Sequence, residues 1–289
     1  MKAISEPILA SGFPLGSSAG LVTAFEWLGQ PYRITRVDML GEMRTEAYQR
    51  LNGRVETPVL ITSEDHVLTE TMAIALWLEA RDTERRISFE PGTPEADRMH
   101  QYIAFLNTGF TGAFSPMWVA LEAEEATEDE KQTLRKFGRS FVAQRHEQLE
   151  AMIGDTDYLL GNKPTLADAV FVGVARWADF HRAIEPHDFP RILRLRQRLE
   201  ADTAFRFALA IENGKPVIGG SAMKGLVPLE DVLRNRGGDS RRLKLSEGPP
   251  HGCLQPACMP LLKLLDRLIS NRLACCKAFA PTSTAGGAH

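Results

Sequence analysis

The chain opens on a short apolar run, Ile4 to Ala10, that stops at Ser-Gly-Phe-Pro-Leu-Gly, the pattern of a buried strand entering a turn. Leu21, Ala24, Phe25 and Leu28 then fall at i, i+3, i+4 and i+7, which predicts a helix. Ser17 or Ser18 stands where its cap belongs, and Gly29 with Pro31 ends it. Tyr32 to Val37 alternates with β-branched members and predicts a second strand, so the chain begins strand, helix, strand. After a polar, loosely helical stretch at 42–52, Thr57 to Thr62 reads as a strand, Ser63-Glu64-Asp65 as a turn and His66 to Leu68 as its hairpin partner. A helix carrying Met72, Ile74, Leu76, Trp77 and Leu78 begins near Glu70, and this α/β unit is complete by residue 82.

From Pro94 the strand signals nearly vanish. Helical periodicity covers roughly 95–123, 128–153, 165–184 and 188–212. Thr165 followed by Asp168 has the spacing of a capping box, with Asp in the place usually held by Glu or Gln, and gives both residues a structural role. Leu166, Ala169, Val170, Gly173, Val174 and Trp177 make one apolar face, as a central bundle helix requires. The expected organisation is therefore α/β plus all-α: an α/β domain over 1–82, a linker over 83–93, a helical bundle over 94–212, an extension over 213–236 and an irregular tail over 237–289. Within the tail, Pro260 to Leu273 reads as one short amphipathic helix.

Composition narrows the chemistry. The 289 residues are 44% hydrophobic and 25% charged, the balance of a globular protein rather than a disordered or fibrous one. A formal charge of −3 offers no general basic surface for nucleic acid. That charge is uneven: 237–289 carry seven Lys/Arg and three acids, and all four cysteines, Cys253, Cys258, Cys275 and Cys276, lie there too. The body of the chain thus has no thiolate nucleophile, disulfide framework or Cys₄ zinc site of its own. The seven histidines show no metal-binding spacing, and no metal is expected. The uncharged segment 7–25 is broken by Pro7, Gly12, Pro14, Gly16 and Gly20, so neither a membrane span nor a secretory segment is expected there. A cytoplasmic location is the expectation that follows.

Four strings carry a family resemblance in their order and spacing over residues 1–212: Pro14-Leu-Gly-Ser17-Ser18, Glu56-Thr57-Pro58-Val59-Leu60, Leu68-Thr69-Glu70-Thr71-Met-Ala-Ile74, and Tyr158-Leu-Leu-Gly161 with Thr165-Leu-Ala-Asp168. In these the chain resembles the cytosolic glutathione S-transferase family, most nearly its bacterial beta-like members. The resemblance implies a thioredoxin-like N-terminal domain that binds glutathione, followed by a helical-bundle C-terminal domain that supplies most of the pocket for a small-molecule electrophile. It also implies a homodimer and a role in detoxification. The extension over 213–236 is similar to one in some bacterial relatives, and the tail matches nothing familiar.

The resemblance assigns roles that the residues can perform. A free thiol has a pKa near 8.5, so glutathione's sulfur must be stabilised as a thiolate. A hydroxyl at the start of the first helix, where backbone N–H groups also favour an anion, suits that task, and Ser17 aligns with the cysteine of beta-like relatives. Serine donates to sulfur but forms no mixed disulfide, so conjugation fits better than thiol-dependent reduction. Both serines also suit a plain cap and turn. Thr57 with Pro58 corresponds to the family's cis-proline turn, whose backbone pairs with the cysteinyl part of glutathione. Glu70 corresponds to the residue facing the γ-glutamyl ammonium and Thr71 to the one facing its carboxylate, and both types are also common at a helix start. Phe110, Thr111, Phe114 and Trp118 fall where relatives line the electrophile pocket, and such an aromatic stripe also suits a core. Thr111 stands where beta-like relatives often carry histidine. The same fold also accommodates a noncatalytic binding or scaffold role, and the same thiolate supports a glutathione-dependent isomerase or peroxidase.

Overall fold

The structure, a computed structural model, describes residues 6–215 and 220–234. The expected irregular tail, its amphipathic helix and its four cysteines lie outside the described residues.

Apolar alternation builds the sheet. β1 (Ile8–Phe13) is followed by α1 (Ser18–Leu28) and β2 (Tyr32–Asp38), and β1 and β2 pair in parallel from Ile8↔Arg33 to Phe13↔Asp38. α1 ends where Gly29 adopts φ 73°, a left-handed cap that glycine takes without a Cβ penalty, and its N–H returns to the Phe25 carbonyl. A short α2 (Glu46–Gln49) leads to the antiparallel hairpin β3 (Val59–Ile61) and β4 (Val67–Thr69), and α3 (Thr71–Glu79) closes the unit. β3 pairs antiparallel with β1 through Ala10↔Val59, and β4 with β3 through Val59↔Thr69.

The helical part is more broken than periodicity alone suggests. The stretch expected at 95–123 divides into α4 (Pro94–Ala104), a π-helical turn over Phe105–Phe110, and α5 (Ser115–Glu122). Beside that wide turn the Thr111 hydroxyl donates to the Leu106 carbonyl at 2.8 Å. α6 (Glu128–Met152) matches its expected span and starts with a Thr127–Glu130 capping box. The third stretch becomes α7 (Leu166–Ala175) and α8 (Trp177–Phe180), parting at Arg176. The fourth becomes α9 (Pro190–Ala201) and α10 (Thr203–Glu212), because the Asp202 carboxylate caps a fresh helix start by accepting from the Ala204 and Phe205 amides.

The extension, for which the sequence predicts no element, forms a strand and a short helix. Met223–Leu226 forms β5, which pairs in parallel with β2 and completes the sheet order β4-β3-β1-β2-β5. α11 (Leu229–Arg234) then lays Leu229 and Val232 on the apolar face made by Ile8, Ala10, Val37, Tyr48 and Ile61. β5 is fastened by a single side chain: the Glu26 carboxylate accepts from the amides of Ser221, Ala222 and Met223 at 2.9–3.2 Å and from the Tyr32 hydroxyl at 3.0 Å. A carboxylate on three successive amides holds its segment as a helix N-cap holds a turn.

The other sheet face packs on α1 and α3, and α1 in turn packs on α7 and α10. α1 and α7 cross at two glycines: a Cβ on Gly20 would stand 2.0 Å from the Ala169 carbonyl oxygen, and one on Gly173 would stand 2.4 Å from that of Ser17. The Asp82 carboxylate, fully buried, gathers the 83–93 segment by accepting from the Arg86 and Ile87 amides and the Ser88 hydroxyl at 2.7–2.9 Å. Thr165 and Asp168 make the expected reciprocal start of α7: both the amide and the hydroxyl of Thr165 donate to Asp168, whose other oxygen accepts from the Leu159 amide at 2.9 Å.

Candidate functional site

Strand directions bring the candidate residues to one end of the sheet. β1 runs toward that end and delivers Ser17; antiparallel β3 begins there, just after Thr57-Pro58; β4 ends there, just before Glu70-Thr71. Ser17, Thr57-Pro58 and Glu70-Thr71 are far apart in sequence, and strand pairing brings them to the same end of the sheet.

The turn into α1 is tight. Phe13-Pro14 is cis, and a Cβ on Gly16 would stand 2.1 Å from the Gly12 carbonyl oxygen, which leaves room for glycine alone. Ser17 occupies the N-cap position, half-buried, and its side chain makes no capping hydrogen bond. Ser18 does the local fastening: it is fully buried, its hydroxyl accepts from the Gly12 amide at 3.0 Å, and it lies 3.0 Å from the Ser11 hydroxyl. Of the two serines, Ser17 is the one whose hydroxyl is left for another task.

Thr57-Pro58 is cis, and Thr57 packs so close to β1 that a Cβ on Gly12 would stand 2.2 Å from its hydroxyl oxygen. That hydroxyl donates to the Met39 thioether at 3.3 Å. The preceding carbonyl, of Glu56, is held by the Tyr48 hydroxyl and the Asn52 amide, each at 2.8 Å. Burial, reinforced by the charge of Glu56, pushes the Tyr48 hydroxyl well above its ordinary pKa, so it remains a donor. Glu70 sits before α3 at φ 72° and ψ 126°, exposed, with no capping bond of its own. Arg54, outside the sequence motifs, lies 2.9 Å from Glu56 and 3.6 Å from Glu70 and is held protonated by the hydrogen bond and charge of Glu56.

On the helical side the four expected pocket residues separate. Phe110 and Phe114 are fully buried, Phe110 against His146 and Phe171 and Phe114 against Trp177 and His181. Thr111 spends its hydroxyl on the Leu106 carbonyl. Trp118 is half-buried, stacked on Phe180 at 5.4 Å and edge-on to Trp177 at 5.4 Å. Trp177 reaches the turn before α1, its indole N–H donating to the Leu15 carbonyl at 2.9 Å. Trp177 was legible only as one member of an apolar stripe, and Met39 and Arg54 carried no motif signal.

No group of three or more His, Cys, Asp or Glu side chains able to hold a metal occurs among the described residues. No helix among them is long and apolar enough to cross a membrane.

Comparison with known proteins agrees with this geometry. The family of the glutathione S-transferase N-terminal domain matches residues 18–81, and that of the C-terminal domain matches residues 107–202. The chain belongs to the glutathione S-transferase family. It is 31% identical over 136 residues to glutathione S-transferase 1 of Schizosaccharomyces pombe, covering 45% of this chain and 54% of that protein. It is 29% identical over 114 residues to elongation factor 1-gamma of the same organism, covering 39% and 27%. The chain spans about half the length, or less, of the curated relatives it matches. Among solved structures, the glutathione S-transferase from Xylella fastidiosa aligns with a TM-score of 0.65 at 20% identity, covering 72% of this chain and 99% of that one. A glutathione transferase from Methylococcus capsulatus aligns at 0.60 with 25% identity, covering 72% and 98%. A transferase homologue from Sulfitobacter, solved with bound glutathione, aligns at 0.64 with 21% identity, covering 74% and 100%. These likenesses fix the fold as a thioredoxin-like sheet domain followed by a helical one. A beta-like subclass is not distinguished by them.

Proposed function

We propose that the protein is a glutathione transferase that conjugates the glutathione thiolate to small apolar electrophiles, as a cytoplasmic homodimer engaged in detoxification. The observation that carries this reading is the convergence of three segments at one sheet end: Ser17 with an uncommitted hydroxyl at the start of α1, Thr57 before a cis proline, and Glu70-Thr71 opening α3. In this reading the Thr57 backbone pairs with the cysteinyl residue, Glu70 takes the γ-glutamyl ammonium and Thr71 its carboxylate. Ser17 donates to the sulfur and lowers the thiol pKa, each unit requiring about 1.4 kcal/mol, the scale of a charge-assisted hydrogen bond. The thiolate then attacks the electrophilic carbon; a carbon–sulfur bond forms and the leaving group departs with its electron pair.

Trp118 is the best placed of the expected pocket residues, since Phe110 and Phe114 are spent on packing. That same burial is what favours the competing reading, a noncatalytic binding or scaffold protein. Calorimetric titration of glutathione into the full chain, a chain ending at Gly237 and Glu70→Ala tests both. Binding to the first two and its loss in Glu70→Ala supports the glutathione site; absence of binding throughout favours the scaffold. Turnover of an electrophile panel, with Ser17→Ala reducing kcat far more than glutathione affinity, separates transfer from isomerase or peroxidase activity on the same thiolate.

A further inference from the structure

The two residues before Ser17 are held by the far end of the helical domain. Leu15 has φ 60°, a conformation uncommon for leucine. Its N–H donates to Glu212 Oε1 at 2.9 Å, its carbonyl accepts from the Trp177 indole, and the Gly16 carbonyl accepts from Arg176 Nη2 at 2.9 Å. Arg176 and Glu212 are themselves an ion pair, with Nη1 2.9 Å from Oε1, and their side chains are only 14% and 7% exposed. Arg36 adds a further tie: it donates to the Glu212 backbone carbonyl at 2.9 Å, and its guanidinium lies 4.1 Å from the centre of the Phe13 ring.

A surface turn can satisfy its backbone with water or with its own neighbours. Here the Leu15 N–H, the Leu15 carbonyl and the Gly16 carbonyl, which also accepts from the Ala19 amide at 3.3 Å, are bonded to side chains 160 to 197 positions away, two of them members of a buried ion pair whose desolvation is costly. Such a pair adds little net stability, and what it supplies is one defined geometry. That geometry ends at the atom preceding Ser17.

We propose that Arg176 and Glu212 are positioning residues, with Trp177 as their auxiliary, that set the Ser17 hydroxyl against the glutathione sulfur. The proposal rests on the glutathione-transferase reading above. It predicts that loosening the clamp misplaces the hydroxyl while leaving the Thr57, Glu70 and Thr71 contacts in place. Misplacement by about 1 Å costs up to a hundredfold in rate.

The test uses the full chain carrying Arg176→Lys, which keeps the charge but loses the fork that spans Glu212 and Gly16, and Trp177→Phe, which deletes the indole N–H and keeps a smaller aromatic ring. Arg198→Lys, at an exposed ion pair with Asp157, is the control. Two readouts are taken: steady-state conjugation of glutathione to 1-chloro-2,4-dinitrobenzene from pH 5.5 to 9, and hydrogen exchange of the amides of residues 15–17. The expected result for Arg176→Lys is a fall in kcat of about tenfold or more, a KM for glutathione within about threefold of wild type, an upward move of the pKa in kcat/KM, and faster exchange at Leu15. Trp177→Phe gives the same pattern at smaller amplitude and decides the matter if Arg176→Lys does not fold. Wild-type kcat and pH profile in a folded variant overturn the proposal, even where exchange quickens. Failure of the wild type to bind glutathione overturns the transferase reading instead, and the clamp is then judged on exchange alone: unchanged exchange at Leu15 overturns it as well.

Discussion

Gly173→Ala puts helix propensity and packing in opposition, so its sign is diagnostic. In a helix interior the substitution alone gains about 1 kcal/mol. The new Cβ, however, would stand 2.4 Å from the Ser17 carbonyl oxygen and 3.1 Å from the Gly20 amide nitrogen, against 3.4 Å for an ordinary contact, so α7 must retreat from α1 by about 1 Å. Both colliding atoms are backbone, and no rotamer change relieves them. Overpacking of this kind costs about 1–3 kcal/mol, and the upper end applies when two helices must move, leaving a net loss of about 2 kcal/mol. With a urea slope of about 3 kcal/mol per molar, the midpoint should fall by about 0.7 M. Gly20→Ala meets the Ala169 carbonyl at 2.0 Å and should behave alike, while the double variant should cost less than the two singles together, because one separation of the helices accommodates both. Because the clash falls on Ser17 itself, turnover should fall more than glutathione affinity. Urea unfolding followed by tryptophan fluorescence measures the first effect and steady-state kinetics the second. A midpoint that rises with Gly173→Ala would show that propensity outweighs the crossing and refute the reasoning.

Burial lowers the His146 pKa to about 4, opposing the hydrogen bond to the Val142 carbonyl, so His146 stabilises the fold above pH 6.5 and that contribution, roughly 3 kcal/mol, is lost as pH falls through 4. Burial raises Asp168 to about 6 against the hydrogen bonds from Leu159, Thr165 and its own amide that oppose it, so its contribution has the reverse sense, full below about pH 3.8 and lost as pH rises through 6. The two should oppose each other between pH 4 and 6. Stability curves of His146→Leu and Asp168→Asn against wild type should therefore diverge in opposite directions across that window, and parallel curves would contradict both assignments. Glu26→Ala removes the partner of three amides and one hydroxyl; it should cost about 2 kcal/mol and open 221–226 to hydrogen exchange, whereas unchanged exchange there would show that β5 holds without it. Asp202→Ala should fray the start of α10 and cost about 1 kcal/mol, readable as a lower melting temperature.

What was legible in the sequence is what is decided locally. The apolar spacing of Leu21 to Leu28, the stop at Gly29 and the Thr165–Asp168 box are each set within a few residues, and each stands in the structure as expected. The parting of the long helical stretches was less visible, because Asp202 looks like any polar helix residue until its carboxylate is seen turned onto the next helix start. β5 was invisible for a different reason: Met-Lys-Gly-Leu has no strand signal, and only Glu26 and the open edge of β2 make it one. The aromatic stripe at Phe110 to Trp118 illustrates a third limit. Helical spacing puts these residues on related faces, but whether a ring meets solvent or His146 depends on a helix whose position periodicity does not encode.

The turn before Ser17 combines all three limits. Its string, Pro14-Leu-Gly-Ser17, is recognisable in sequence, and Gly16 has a local reason in the Gly12 carbonyl beside it. Yet apart from the Ala19 amide on the Gly16 carbonyl, the polar groups that fix Leu15 and the Gly16 carbonyl come from Arg176, Trp177 and Glu212. A short motif thus locates the chemistry, and the distant helical residues determine whether its hydroxyl stands where the chemistry needs it. By that logic a noncatalytic relative could keep the motif and lose the clamp, and the state of Arg176 and Glu212 would be more informative about activity than the presence of Ser17.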